Sequence, residues 1–542
     1  MSLFWQILKA RGLDEESASI FLSPKYEAMH DPFLLPDMQA AVDRLVEARE
    51  RQDSIMIYGD YDIDGLTATT VLLDAFQSFG FKNVEAFIPN RFVEGYGLTV
   101  EAVEKIAATG AQLIVTVDCG SLSEKEIIRA NELGMDVIVT DHHNVAPVQP
   151  PAVAVINPKR PDHSYPFIDL AGVGVAFKLV QALQTRLDGL PPGQEKWLLD
   201  LVALGTVCDV VTLVDENRAN VYWGLKVLSK TRRPGLRALM AVAGVDPGMV
   251  NARSLGFGLG PRMNAAGRLE TAQYSLDMLR ATESLLALEK AQQLDALNVS
   301  RRRDQDAIFK AAILQAEQHT DDPVLVVSHT DWNHGIIGIV AAKLLEKYQK
   351  PTYVLQEMGE ESKGSARSYG DFSAADAIRA ADDIITKGGG HKLAAGVTLP
   401  TENIGAFRQR VNEFYRSQNL LNQAALLLPK EDVVIEKLTD ISEDLLKQLQ
   451  QLEPFGNGNP EPVLRADGLL VTGIRRMGAD AQHVKLELED GLHQAMQFLA
   501  FNAPAHFFVK PGERVKAWFH PTLNEWQGRR SVEGRLLHLE SF

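Results

Sequence analysis

Cysteine is nearly absent: the chain has 542 residues and two cysteines, Cys119 and Cys208. That excludes a disulfide framework and fits a reducing cytoplasm. With no C-x-x-C spacing, both read as small buried residues rather than thiolate ligands. No apolar run reaches membrane-spanning length. The opening residues, Met1 to Gly12, lack the basic leader and long apolar core of a secretory signal. An excess of positive charge is also missing. The formal net charge is −16, which argues against holding duplex DNA on a broad basic face and leaves room for a local basic groove. Gly256 to Gly260 does not form G-x-G-x-x-G, and Gly359 to Ser365 lacks the lysine of a P-loop. Neither supports nucleotide-driven motor activity.

What is present is a chain long enough for several domains, with an ordinary globular composition of 45% hydrophobic and 23% charged residues. One stretch stands out. Ile55 to Tyr58 is an apolar run that meets Gly59, and Asp60, Asp62 and Asp64 follow at alternate positions. A buried parallel strand reads as such a run, and ligands of open α/β sheets collect beyond the strand ends. Crowded carboxylates repel unless a cation lies between them, and their hard oxygens suit Mg²⁺ or Mn²⁺. A lone D-x-D is more often a solvated turn; the apolar lead-in and the third aspartate favour a metal site.

The same grammar recurs. Val84 to Ile88 reads as a strand. Leu113 to Val117 ends in Asp118, and Asp136 to Thr140 ends in Asp141-His142-His143. Helices are expected between them, so a doubly wound parallel sheet is predicted, with these strand ends on one edge. Leu198 to Val207 leads to Cys208-Asp209 and is long enough to be a helix. Residues 271–318 are glycine-free and rich in helix formers, which predicts one long helix or two in succession. Arg301 to Arg303 on it are candidates to face a nucleic acid. A second α/β lobe is expected over 321–428. After residue 429, alternation such as Val484 to Glu489 predicts a small β-barrel. Trp518, Phe519, Trp526, Arg529 and Arg530 there suit single-strand contacts, with core packing expected for at least half of the aromatics.

GDYDIDG at Gly59, VDCG at Val117, TDHH at Thr140 and VCDV at Val207 resemble the four motifs of the DHH phosphoesterase superfamily. SARS at Ser365 and GGGHKLAAG at Gly388 resemble its DHH-associated domain. NRFVEGYGL at Asn90, PRMNAAGR at Pro261 and LEPFGNGNPEP at Leu452 resemble the RecJ subgroup of single-strand-specific exonucleases. The resemblance implies an N-terminal helical segment (1–50), a DHH catalytic domain (51–270), a connecting helix (271–320), a DHH-associated substrate-binding domain (321–428) and an oligonucleotide-binding (OB) barrel (429–542). It implies two divalent ions, Mn²⁺ or Mg²⁺, held by Asp60, Asp62, Asp64, Asp118, His142 and Asp209, with Asp118 the bridge and Asp60 ranked last. His143 is expected at the scissile phosphate. Arg91, Tyr96, Arg262, Arg268, Ser365, Arg367, Gly389, Gly390 and His391 are the expected DNA or phosphate contacts.

The function so implied is a cytoplasmic, metal-dependent exonuclease. It would remove 5′-mononucleotides from the 5′ end of single-stranded DNA in repair and recombination. The expected form is a monomer with no membrane contact, and a single-strand-binding protein or repair helicase is the partner such work allows. Two alternatives differ in kind. One is a phosphodiesterase for short oligoribonucleotides or cyclic dinucleotides, disfavoured by the barrel. The other is a non-catalytic single-strand-binding scaffold, disfavoured by the intact ligand set.

Overall fold

The four strands expected in the first 140 residues are all present in the computed structural model, which describes residues 1–95, 97–418, 420, 424–526 and 528–542. The chain divides into two units. One comprises residues 1–267, 272–292 and 429–542; the other comprises 268–271 and 293–428.

In the first unit α1 (Leu3–Ala10), α2 (Glu15–Leu22) and α3 (Met38–Arg51) precede the sheet. Ser2 and Asp14 cap the first two helices. Strands β1 (Ile55–Gly59), β2 (Val84–Phe87), β3 (Leu113–Val117), β4 (Asp136–Thr140) and β5 (Ala154–Ile156) lie in the order β2-β1-β3-β4-β5, all parallel. The fifth was not expected; its three residues are too short to give a pattern. α4 (Ile63–Phe79), α5 (Val100–Ala107) and α6 (Glu124–Glu132) alternate with the first strands. Strand order reverses between β1 and β3, the topological switch point where doubly wound sheets bind ligands.

Five helices follow in this unit: α7 (Gly172–Leu183), α8 (Leu199–Cys208), α9 (Asp215–Leu228), α10 (Pro234–Ala243) and α11 (Gly260–Leu269). The run at Leu198 is thus a helix. α8 is buried from Leu199 to Thr206 without a polar face, which is why no helical period marks it in the sequence. It packs with α4 and α7, both largely buried as well. The expected connector is a short helix, α12 (Gln273–Arg280), followed by the 33-residue α13 (Ser284–Ala316).

The second unit holds β6 (Leu325–His329), α14 (Ile337–Tyr348), β7 (Thr352–Met358), β8 (Glu361–Arg367), α15 (Ala374–Arg379), β9 (Lys387–Gly390), β10 (Ala394–Pro400) and α16 (Ile404–Ser417). The strand order is β6-β7-β8-β10-β9, parallel only between β6 and β7. Tyr353, Leu355, Phe372 and Phe407 pack on one face, and Val327, Val340 and Leu344 on the other. Arg301 does not project to solvent. It is buried, and its guanidinium bonds Asn298 and Gln305 along its own helix.

The C-terminal part of the first unit is the expected barrel. It contains β11 (Val433–Ile435), α17 (Glu443–Gln450), β12 (Leu464–Met477), β13 (His483–Glu489), β14 (Ala495–Ala500), β15 (Arg514–Trp526) and β16 (Arg529–Ser541). Five strands close in the order β12-β13-β14-β16-β15 through pairing of β12 with β15, and β11 adds to β12. Val484, Leu486 and Leu488 face inward, as their alternation predicts. Phe519 lies in this core, and Trp518 is buried with its indole N–H donated to Glu431 at 2.9 Å. Both serve packing rather than base stacking. Arg530 pairs with Glu443 and Glu525, and the side chain of Trp526 lies outside the described residues. The barrel core also includes Phe4, Ile7 and Leu8 of α1. No helix among the described residues is long and apolar enough to cross a membrane.

Candidate metal centre

Three strand ends and one helix end bring their polar residues together. β1 runs out at Gly59, and Asp60 follows; Asp62 then caps α4 by accepting the N–H groups of Asp64 (2.9 Å) and Gly65 (3.2 Å). Asp118 follows β3 in a left-handed conformation, φ 61°, which turns its side chain at the cost of local strain. Asp141, His142 and His143 follow β4. Asp209 arrives differently, as the C-cap of α8.

The distances define three overlapping groups with ligand atoms within 4.8 Å of one another: Asp60, Asp62 and Asp118; Asp64, His142 and Asp209; and Asp118, His142 and His143. His142 Nε2 is 3.0 Å from Asp118 Oδ1, 3.8 Å from Asp64 Oδ2 and 3.7 Å from Asp209 Oδ2. Asp60 Oδ1, Asp118 Oδ1 and His142 Nε2 are buried with no hydrogen-bond partner among the described residues. Buried polar atoms are otherwise paired. Three unpaired ligand atoms converging from separate segments fit a cation and fit little else. The geometry also ranks Asp60 no lower than Asp62.

The electrostatics agree. Burial, and then the neighbouring carboxylates, push Asp60 up to about 8 and Asp209 up to about 6. The same causes hold Asp64 and Asp118 well above the ordinary carboxylate range. Burial, and then His143, push His142 down to about 3, so the ring is a neutral imidazole, the form that ligates. Without added positive charge, burial and mutual repulsion favour the protonated forms of these carboxylates. With it they ionise.

His143 differs from its neighbour. Burial works to lower it, but the Asp141 carboxylate at 2.9 Å raises it on balance. Asp141 is in turn held far below the ordinary range. Burial opposes this and is outweighed by His143 and by the amide N–H groups of His143 and Ser121. Asp64 accepts two amides at the start of α7, Gly172 (2.6 Å) and Val173 (2.8 Å), where the helix end favours negative charge. A Cβ at Gly172 would lie 2.7 Å from Asp118 Oδ1, so glycine is required for this approach. Asp141 was read from the sequence as part of the Asp-His-His triplet but given no role, and Gly172 and Val173 were not singled out. Ala171-Gly172-Val173-Gly174 at the head of an apolar helix is the mark that would have found the last two.

The remaining candidates fall in different places. The Arg91 guanidinium lies 4.3 Å over the Tyr61 ring, and its charge works against the upward shift of Asp60. Arg262 donates to Gly258 O at 2.7 Å. Tyr96 lies outside the described residues. In the second unit Arg268 donates to Gly335 O at 3.1 Å. Ser365 and Arg367 share β8, with Arg367 donating to Ala366 O (2.8 Å) and Ser365 Oγ (3.4 Å), and burial lowers the guanidinium's pKa. Gly389 and Gly390 sit on the exposed strand β9, which pairs with β10, and the His391 N–H donates to Ala394 O at 2.8 Å.

Beyond Asp209 the chain turns sharply. Val210 has φ 65°, a genuine outlier for a β-branched residue, costing roughly 1–3 kcal/mol.

Comparisons with known proteins accord with this geometry. Family models match in sequence: DHH family, N-terminal domain, over residues 54–206; DHHA1 domain over 321–417; RecJ OB domain over 432–538. The single-stranded-DNA-specific exonuclease RecJ of Bacillus subtilis is 39% identical over 533 residues, covering 97% of this chain and 66% of its own length. That of Dickeya dadantii is 35% identical over 531 residues, covering 93% of this chain and 91% of its own. The crystal structure of Thermus thermophilus RecJ in complex with Mn²⁺ superposes with a TM-score of 0.83 and 29% identity, covering 99% of this chain and 78% of that one.

Proposed function

Because the chain belongs to the RecJ family of single-stranded-DNA-specific exonucleases, we propose that it hydrolyses single-stranded DNA from the 5′ end and releases 5′-mononucleotides with two divalent ions. The observation that carries this is that Asp60 and His142 each group with Asp118, and that Asp60 Oδ1, Asp118 Oδ1 and His142 Nε2 are buried without a hydrogen-bond partner among the described residues.

The ions would be Mn²⁺ or Mg²⁺. Asp64, His142 and Asp209 would hold one, Asp60 and Asp62 the other, and Asp118 both. When bound, they supply the charge and Lewis acidity that let a phosphodiester and an attacking water meet in an acidic pocket. The protein's own groups do the rest. The α7 amides aim Asp64 and work against the upward shift that burial and its neighbours impose. Asp141 fixes the His143 ring and favours its cationic form, so that the ring donates a hydrogen bond to a non-bridging phosphate oxygen.

In the second unit Ser365 and Arg367 are the proposed partners of the phosphate end, with Gly389, Gly390 and His391 beside the same sheet. Arg91, Tyr96, Arg262 and Arg268 are proposed along the strand path. The barrel over 429–542 would hold single strand, the DHH domain over 51–270 carry the chemistry, 271–320 connect, and 321–428 bind the end. The remaining helical segment, 1–50, packs in the first unit. We place the enzyme in the cytoplasm as a monomer, working beside a single-strand-binding protein or repair helicase in DNA repair and recombination.

End-labelled single-stranded and blunt duplex DNA, digested with Mn²⁺ or with chelator, test the proposal. Mononucleotides should appear from the 5′-labelled single strand with Mn²⁺ alone. Equal degradation of duplex, or release of label in chelator, would refute it. Turnover of dinucleotides with no action on longer strands would assign the site to small substrates instead.

A further inference from the structure

The segment Leu452 to Pro462, which enters the barrel, is fixed from several sides. The buried Arg218 guanidinium donates to Leu452 O and Glu453 O, each at 2.9 Å. Asn459 Nδ2 donates to Leu452 O (2.8 Å) and Pro454 O (2.9 Å), while Asn459 Oδ1 accepts from Arg11 at 2.8 Å. Gly456 N–H donates to Asn459 O at 2.9 Å and closes the loop tip. A loop held this way is a rigid tool rather than a linker.

Its tip grips the chain just beyond Asp209. Asn457 Nδ2 donates to Val210 O at 2.9 Å, and Asn457 O accepts the Leu213 N–H at 2.7 Å. The approach is close: a Cβ at Gly456 would lie 2.6 Å from Leu213 Cδ1. Val210 is the residue in the left-handed conformation, φ 65°, at the position after a helix C-cap where glycine is usual. Its side chain is 64% exposed, so packing does not hold it there. The Asn457 side chain does, through its bond to the Val210 carbonyl, next to the Leu213 N–H that the Asn457 main-chain carbonyl accepts.

We propose that Asn457 is a positioning residue for the metal centre. By donating to the Val210 carbonyl its side chain holds the strained turn that aims the Asp209 carboxylate at His142, so the barrel's entry loop completes the site in the DHH domain. The inference rests on the reading that Asp209 ligates a cation. It gives the glycine- and asparagine-rich loop a task that no motif of catalysis assigns to it.

The test uses the full chain and reads Mn²⁺ binding directly, by the electron paramagnetic resonance of free Mn²⁺ without DNA. Asn457→Ala should weaken one binding step about tenfold, as loss of a group that orients a ligand does, while single-strand binding in chelator stays within about twofold. Asn457→Asp, which keeps the size and removes the donor, should do the same and serves if the alanine variant folds poorly. Val210→Gly removes the strain. In the Asn457→Ala background it should restore Mn²⁺ affinity to within about threefold of the unmodified chain, because the turn no longer needs the clamp. Unchanged Mn²⁺ binding in both Asn457 variants, or no rescue by Val210→Gly, would overturn the inference. If the unmodified chain binds no Mn²⁺, the reading of the metal centre fails instead, and Asn457 is not what was tested.

Discussion

Asp141 Oδ1 lies 2.9 Å from His143 Nδ1, and the same oxygen accepts the amide N–H groups of His142 and His143. One buried carboxylate therefore sets both the turn that delivers the two histidines and the ring orientation of the second. Asp141→Asn should lower kcat on single-stranded DNA by roughly 10–100-fold and leave the Mn²⁺ dependence nearly unchanged. A Mn²⁺ titration of cleavage separates the two, and a wild-type kcat would show that His143 acts without this support.

Asp118 belongs to two of the three ligand groups. Asp118→Ala should therefore remove both ions' shared ligand and reduce cleavage by about 10³-fold or more. Binding of single strand in chelator should survive, since the barrel is intact. Retained turnover would take Asp118 out of the site.

Chelation should give an unusual pH response. Asp60, pushed up to about 8, and Asp209, pushed up to about 6, sit above the unfolded value near 4, and Asp64 and Asp118 shift the same way. The folded chain then holds more protons than the unfolded one between about pH 4 and pH 8, so its stability falls as pH rises through that window. In chelator, Tm should drop by a few degrees from pH 6 to pH 8; with saturating Mn²⁺ the drop should vanish. A flat metal-free profile would mean that these carboxylates do not share a confined site.

Arg367 lies on β8 and donates to Ser365 Oγ at 3.4 Å. Arg367→Ala should reduce the preference for a 5′-phosphorylated end over a 5′-hydroxyl end by roughly 10–100-fold, the worth of one or two charge-assisted hydrogen bonds. Competition between the two labelled ends measures it directly. An unaltered ratio would move end recognition elsewhere.

Lys178 Nζ meets Glu216 Oε1 at 2.5 Å with both side chains almost wholly buried. Glu216 also accepts from the Tyr165 hydroxyl and the His30 N–H. Lys178→Met leaves that carboxylate without its cation and should destabilise the first unit by about 3–5 kcal/mol. The urea midpoint reports it, and a midpoint within error of the parent chain would mean that Glu216 is compensated by other groups.

The parallel sheet and most of the site were legible because buried strands are short apolar runs and their ends are where ligands sit. Asp60, Asp118 and His142 announce themselves in that way. Asp209 was less plain: α8 is buried with no polar face, so the run before it could be recognised as a helix by its length but not by a helical period. Asp141 was visible in its triplet, but its role of orienting His143 was not, and the α7 amides that hold Asp64 leave no acidic or histidine cluster of their own. Arg301 looked like a nucleic-acid contact by residue type and is packed inside, whereas Trp518 and Phe519 are buried as expected for at least half of the barrel's aromatics. Composition does not tell which way a side chain faces.

The helix that places Phe4, Ile7 and Leu8 in the barrel core also constrains how the protein is made. Those residues leave the ribosome long before β11 to β16 exist to receive them. At roughly 5–20 residues per second the wait is about 25–110 s. Throughout it the apolar face of α1 has no native partner. In a living cell, the period of greatest exposure to chaperones and to aggregation therefore falls during synthesis rather than after it, and it ends only when the last strands emerge.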